Sequence, residues 1–453
     1  MGSTEKIAKF IQDFQFDDIP LRGVEQTKIS FLDAIGTALL GSKGQSGEIL
    51  TRYIKLMGGN PQARIIGCGI KTSLELAALA NGTFSHADDF DDIGGSGHGG
   101  AFLIAPLLAL GEWLHLPGKK LIEGYAIGFE IGKRLRLSLG DLAGAGFHSS
   151  ALLGSISAAA ESAKLLELNL TQTRVALGIA ASLASGIMQN FGTHTKPFHA
   201  GHVSRNGIAA AMLAKEDFRA NLEVLEGIKG FVYVYGQEQA AISRLTEQLG
   251  RNLAIAEEGV FVKAWPCCGG THEALTAMMS LIQKYDIKPD GVELIEVAVS
   301  WQTLGPLMCR EVTVPLEGKF NMPYVMASAL VDRKVDVSTF EGEAFSRPEI
   351  QLLMKKVHYF QHEDRRDKPL RLQSETRFVM LTVKMKDGHV FSEYLEAKGR
   401  RRLRGKEVQA KYQKNAEIGG LSEEQIERSL ELLDKLESLP DVTLLMDALE
   451  TSV

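Results

Sequence analysis

LIEVAVSW, residues Leu294–Trp301, is where the hydrophobic period of the chain changes. Ile295, Val297, Val299 and Trp301 alternate with Glu296, Ala298 and Ser300, the pattern of a strand with one buried face. Arg377–Met385 alternates again through Val379, Leu381 and Val383. Asp387-Gly388 then supplies a hairpin turn, and Val390–Leu395 returns. Between these strands Pro323–Leu330 and Pro348–Val357 read as helices. Upstream, residues 4–260 read as almost continuous helix. Ile29, Leu32, Ile35 and Leu39 recur at helical spacing, as do the apolar positions of Leu121–Leu137, Ala151–Leu166, Val175–Met188 and Ile208–Leu213. Alanine and glycine crowd Ala180–Gly186, and such small residues let helices approach closely. Near the end, Ser422–Leu436 carries Ile426, Leu430 and Leu433 on one face, with Ser422 as N-cap and two glutamates in the first turn. The expected fold is therefore mainly α. A large all-helical domain spans residues 1–262 and a smaller α+β domain spans 263–397. A C-terminal segment, 398–453, packs back on the helical domain.

Composition narrows the function. The 453 residues are 45% hydrophobic and 23% charged with net charge -6, the profile of a globular protein without the basic field that nucleic acid requires. No run of 18 uncharged apolar residues predicts a membrane span. MGSTEKIAKFIQDF lacks a signal-peptide apolar stretch and reads as a helix face, which predicts a cytoplasmic protein. Cys68, Cys267, Cys268 and Cys309 show neither zinc nor iron–sulfur spacing and fit reduced thiols. KGRRRLRGK, Lys398–Lys406, reads as a solvated loop leaving the sheet.

Four polar stretches interrupt the apolar sequence. NGTFSHADDFDDIGGSGHGGA, Asn81–Ala101, sets His86, Asp88, Asp89, Asp91 and Asp92 beside a glycine-rich loop carrying His98. Carboxylates are seldom fully buried unless paired, so that density between two apolar helices points to a functional loop. GFHSS places His148 at the start of a helix, where exposed N–H groups suit an anion. GTHTKPFHAGH sets Lys196 among His194, His199 and His202. KAWPCCGGTHE runs from Lys263 through His272 at the domain boundary. A nucleophile elbow and a Walker A loop are both missing. Gly95, Gly97 and Gly100 fit a dinucleotide fingerprint but follow a helix rather than a strand. Asp88–Asp92 satisfies DDxxD, yet no second magnesium motif accompanies it and the loop is poor in the cations a diphosphate needs. What remains is histidine, lysine and aspartate with no organic cofactor or metal. That inventory suits proton transfer on a small polyanion.

Taken together these stretches resemble a known family, the MmgE/PrpD proteins, which include 2-methylcitrate dehydratase, cis-aconitate decarboxylase and iminodisuccinate epimerase. The resemblance rests on HADDFDD (His86–Asp92), GFHSSALLGSISAAAESAKLL (Gly146–Leu166), GTHTKPFHAGHVSRNGIAAAMLA (Gly192–Ala214), KAWPCCGGTHEA (Lys263–Ala274) and KFNMPYVMASALVD (Lys319–Asp332), in the family order. It implies an all-helical domain with a smaller α+β lid, a pocket between them, and a homodimer. By motif match it implies Asp89, His98, His148, Lys196, Lys263 and Tyr324 as pocket residues. Chemistry suggests their roles. Lys196 and Lys263 hold carboxylates, His98 is the favoured acid/base, and His148 is a second proton carrier. Asp89 orients a histidine or a hydroxyl, and Tyr324 donates a hydrogen bond or proton. His272 is a weaker substrate-binding candidate, and His199 is read as structural. Two departures stand out. Ile93 replaces the threonine common after DFDD, and the spacing to His98 is shorter than in the decarboxylases. The expectation is a cofactor-independent lyase acting on a small di- or tricarboxylate, with 2-methylcitrate-type dehydration first. Decarboxylation of cis-aconitate, epimerisation and a non-catalytic carboxylate-binding protein follow.

Overall fold

The structure is a computed structural model that describes residues 1–300, 307, 312–362 and 377–451. The chain divides into two units. One comprises Met1–Ile187, Pro197–Val262 and Leu403–Val453, and the other Met188–Lys196 and Lys263–Arg402.

The first unit is helical. Its main elements begin with α1 (Ser3–Asp13), α2 (Leu21–Lys43), α3 (Gln45–Met57), α4 (Leu74–His86), α5 (Gly99–Trp113), α6 (Gly118–Leu139), α7 (Ser149–Leu165) and α8 (Leu170–Leu183). After these, α9 (Thr195–Lys215) begins at the end of the second unit's short segment and continues in the first. Every residue of α5 from Gly99 to Glu112 is buried, as its all-round apolar sequence demands of a central helix. Small residues set the spacing. A Cβ on Gly201 would lie 2.0 Å from the Leu79 carbonyl oxygen, and one on Gly82 would lie 2.9 Å from Gly201 Cα. Helices α4 and α9 therefore cross backbone against backbone.

The helical run is not continuous. Strands β1 (Ala63–Ile65) and β2 (Ile70–Thr72) form an antiparallel hairpin closed by Gly67 and Gly69, both at positive φ. Asn81 on α4 fastens it, accepting from Ile66 N (2.9 Å) and donating to the Arg64 carbonyl (3.1 Å).

The second unit holds a four-stranded sheet formed by β3 (Val292–Val299), β4 (Val357–Gln361), β5 (Phe378–Met385) and β6 (Val390–Glu396), in the order β4-β3-β5-β6. Strands β3 and β4 run parallel with Ile295 opposite Val357. The other two pairings are antiparallel, with Val297 opposite Leu381 and Phe378 opposite Glu396. Helix α10 (His272–Tyr285) meets this sheet, with Tyr285 stacked on Phe391 at 4.4 Å. Helices α11 (Met322–Asp332) and α12 (Pro348–Met354) complete the unit. Two sequence readings shift here. The helix expected to reach Val357 stops at Met354, and Val357 opens β4 instead. The strand expected over Leu294–Trp301 starts earlier, at Val292. Trp301 itself, like Cys309, lies outside the described residues.

The C-terminal segment belongs to the first unit through α13 (Lys406–Ile418), α14 (Glu423–Asp434) and α15 (Thr443–Ala448). Ser422 caps α14 by accepting from Gln425 N, in a capping box. The basic run is not uniformly solvated. Arg400 has a side chain only 16% exposed and lies 3.5 Å from the buried Glu273 carboxylate. The fold is thus mainly α with a smaller α+β unit, and among the described residues no helix is long and apolar enough to cross a membrane.

Candidate active site

Helix α4 runs further than its apolar residues suggest, ending at His86, and α5 begins at Gly99. The polar loop is therefore residues 87–98, with His86 and His98 at its two mouths. Asp91 joins them. His86 Nδ1 lies 2.7 Å from one Asp91 oxygen, and His98 Nδ1 lies 2.9 Å from the other. An ionised carboxylate only accepts, so both imidazoles carry their proton on Nδ1 and donate it. Burial alone would push the Asp91 carboxyl up. The His86 and His98 imidazoles outweigh it and hold Asp91 well below the usual carboxylate range. His98 Nε2 is thereby turned from Asp91 and lies 4.0 Å from Asp89. His86, Asp89 and Asp91 are buried, and His98 keeps a side chain 16% exposed.

The loop's shape explains its residues. Asp89 sits at φ 50°, a left-handed conformation that aspartate tolerates better than most residues. Gly94 and Gly97 exchange two backbone hydrogen bonds of 2.7 and 3.0 Å in a closed turn. Gly97 has φ 94°, and a Cβ there would strike Ser150 Oγ at 2.6 Å. That approach lets Ser150 accept from His98 N (3.2 Å), tying the loop to the first turn of α7. Ile93 anchors the loop through its backbone. It exchanges bonds of 3.0 and 2.8 Å with Phe261.

His148 is the N-cap residue of α7, and its ring stacks on His86 at 6.0 Å with an interplanar angle of 14°. The His148 and His98 ring centroids are 6.4 Å apart. His148 Nδ1 lies 3.1 Å from His199 Nδ1, so one of the two donates and the other accepts. They cannot both be imidazolium while that bond persists. His199 thus joins the histidine cluster through His148.

Behind the loop lies a second buried layer. Asp92 accepts from Gly100 N (3.1 Å) and from Ser30 Oγ, which is also 2.6 Å from Tyr125 Oη. Burial, together with the neighbouring Asp33 carboxylate, pushes Asp92 up to about 8. Burial likewise raises Asp33, while Lys411 from α13 opposes it at 2.7 Å. Lys411 also donates to the Phe90 carbonyl (2.6 Å) and stands 3.7 Å over the Phe90 ring. The C-terminal segment thereby holds the middle of the DDFDD loop.

The remaining sequence candidates fall in the second unit. Lys196 is 2% exposed, with Nζ 5.7 Å from the Phe191 ring centroid and 5.4 Å from that of Phe320. Lys263 is fully buried. His272 is buried, with Nε2 3.3 Å from the Cys267 carbonyl and its ring edge-on to Trp265. Tyr324 is buried and donates to the Thr339 carbonyl, and burial raises its phenol. Lys319, not singled out in the sequence, is buried in the same unit. It contacts the Pro266 carbonyl at 3.4 Å, and its own carbonyl accepts from Cys268 N (2.9 Å). It therefore braces the segment that follows Lys263. Cys267 and Cys268 are buried, and Cys267 Sγ is 3.2 Å from Thr271 Oγ1.

Among the described residues, His86, Asp89, Asp91 and His98 each place a ligand atom within 4.8 Å of the others, close enough to share a cation. Both Nδ1 atoms already engage the Asp91 oxygens, so a cation bound through Nδ1 would displace two charge-assisted hydrogen bonds, whereas one bound through Nε2 would leave them in place.

Comparison with known proteins identifies the family. The MmgE/PrpD N-terminal domain matches residues 5–242 and the MmgE/PrpD C-terminal domain matches residues 265–437. The chain belongs to the MmgE/PrpD family. Among its curated relatives, cis-aconitate decarboxylase of Mus musculus is 26% identical over 98% of this chain and 92% of the relative. The Homo sapiens protein of that name is 26% identical over 99% and 94% of the two chains. The Aspergillus terreus protein is 27% identical over 80% and 79%.

Proposed function

We propose that this protein is a lyase acting on a small tricarboxylate, with His98 as the residue that moves the proton at carbon. The observation that carries this reading is the pair of contacts on His98. Its Nδ1–H is fixed on buried Asp91, while Nε2 faces Asp89 at the partly exposed edge of the cluster. In this reading Lys196 and Lys263 bind carboxylates, a task for compact cations. His148 is a second proton carrier, Asp89 orients His98 or a substrate hydroxyl, and Tyr324 donates a hydrogen bond once it releases the Thr339 carbonyl. His272 is a lesser contact. The names of the full-length relatives favour decarboxylation of cis-aconitate or a close analogue. The carbon–carbon bond to one carboxylate breaks, CO2 leaves, and the electron pair left behind takes the Nε2 proton of the His98 imidazolium, which ends as the neutral Nδ1–H tautomer held by Asp91. Dehydration of a 2-methylcitrate-type substrate is the second reading. His98 and His148, with ring centroids 6.4 Å apart, are the two proton carriers it needs, one to take a proton next to a carboxylate and one to protonate the leaving hydroxyl. A homodimer is part of the proposal and would be read by light scattering.

A substrate panel in D2O tests it: cis-aconitate, trans-aconitate, citrate, 2-methylcitrate and iminodisuccinate, followed by NMR and CO2 detection. CO2 release with deuterium at carbon in the product is the expected result. Alkene formation without CO2 supports dehydration. Turnover of none of the five sinks the lyase reading for this substrate class.

A further inference from the structure

His98 is not alone on its carboxylate. Asp91 is fully buried and gives one oxygen to His98 and the other to His86, whose ring is itself buried. The two ring centroids are 4.4 Å apart. A private carboxylate would stabilise a charged His98 strongly. A carboxylate shared with a second imidazole at this distance stabilises it less, because two imidazolium ions side by side repel. The same contact has a geometric consequence. Only the Nδ1–H tautomer satisfies an acceptor-only partner, so Asp91 decides which nitrogen of His98 is left for substrate.

We propose that Asp91 and His86 are positioning residues for His98. Asp91 holds His98 as its Nδ1–H tautomer with Nε2 presented outward. His86, bonded to the second oxygen of the same carboxylate, limits the negative charge that His98 receives. Neither touches substrate in this arrangement. The inference deepens the acid–base reading of His98, and its first test needs no substrate.

That test is nitrogen-15 NMR of histidine-labelled full-length protein, titrated between pH 5 and 9. His98 is assigned by comparison with His98→Gln. In the wild type, neutral His98 is expected with its proton on Nδ1. In His86→Gln the glutamine amide still donates to Asp91 but cannot carry charge, so His98 keeps its tautomer and its titration midpoint rises by about one pH unit. In Asp91→Asn the acceptor-only partner is lost, and His98 shows a mixture of tautomers. If a substrate is turned over, Asp91→Asn should lower kcat about 10²–10⁴-fold with KM little changed, as for a base that has lost its orienting carboxylate. His86→Gln should move the pH–rate profile upward while leaving its plateau within a few-fold.

A wild-type His98 protonated on Nε2 overturns the assignment to Asp91. So does an unchanged tautomer in a folded Asp91→Asn variant. A His98 midpoint that stays or falls in His86→Gln overturns the role of His86. Should Asp91→Asn not fold, the wild-type tautomer and the His86→Gln titration decide the matter. An inactive protein with the expected tautomer and midpoint shift would count against the lyase reading alone.

Discussion

Lys411 offers the sharpest stability prediction. It comes from α13, far along the chain from the loop it holds, and is 7% exposed. It pairs with buried Asp33 at 2.7 Å and donates to the Phe90 carbonyl at 2.6 Å. In Lys411→Met the apolar stem is kept and the charge removed. Asp33 is then a buried carboxylate beside Asp92, with no cation in contact among the described residues. Breaking a buried pair from one side costs about 3–5 kcal/mol. Asp33 has an escape by taking a proton. From an unfolded value near 3.9, protonation at pH 7 costs about 4 kcal/mol, which caps the charge contribution. The Phe90 carbonyl loses its lysine donor, adding about 1 kcal/mol if water does not replace it. We expect a loss of about 3–5 kcal/mol at pH 7. The sign of its pH dependence follows. In the variant the folded-state pKa of Asp33 rises further above its unfolded value, so stability falls as pH rises between them, by about 1.4 kcal/mol per unit. The deficit should therefore shrink on acidification, over the pH range above the wild-type Asp33 pKa. Urea denaturation followed by tryptophan fluorescence and far-UV circular dichroism at pH 7 and pH 5 reads this. A deficit under about 1 kcal/mol at pH 7, or one that grows on acidification, would refute the reasoning. The double variant Asp33→Asn/Lys411→Met should recover most of the loss.

Two further variants probe the packing and charge behind the site. Gly201→Ala would put a methyl 2.0 Å from the Leu79 carbonyl oxygen, so α4 and α9 must separate. A cost of about 2–4 kcal/mol is expected from thermal denaturation, where an ordinary helical glycine-to-alanine change is favourable by up to about 1 kcal/mol. Asp92, pushed up to about 8 by burial and Asp33, is protonated in the fold at neutral pH but ionised when unfolded. It therefore subtracts stability as pH climbs from about 4 towards 8, and Asp92→Asn should flatten the wild-type stability curve between pH 5 and 8. A parallel pair of curves would count against that assignment.

Most of the architecture was legible in the sequence because two periods announce it. The alternation in β3, β5 and β6 and the helical spacing before Lys263 are both strong signals. The β1–β2 hairpin was not legible, since its strands have three residues each, too few for alternation to show. Strand β4 went unread, and its first residue was taken into the preceding helix because Val357 continues the apolar spacing of α12. At the candidate site, ionisable density singled out the loop and its histidines. The division of labour within DDFDD was not readable. Four aspartates look alike in sequence, and only the fold turns Asp91 to two imidazoles, Asp92 to Ser30 and Gly100, and Asp89 towards His98 Nε2. Lys411 gave no local signal. It lies 321 residues from Phe90, and nothing around it in sequence marks it as different from other helical lysines.

The central claim is that His98 moves the proton. Its most direct measurement is kcat/KM of wild type against His98→Gln, on whichever tricarboxylate the wild type turns over, with circular dichroism confirming that the variant is folded. The expected result is a loss of about 10²-fold or more, carried mainly by kcat, with deuterium incorporation from D2O slowed in step. A folded His98→Gln variant within about threefold of wild type would contradict the account, since a general acid contributes far more than that.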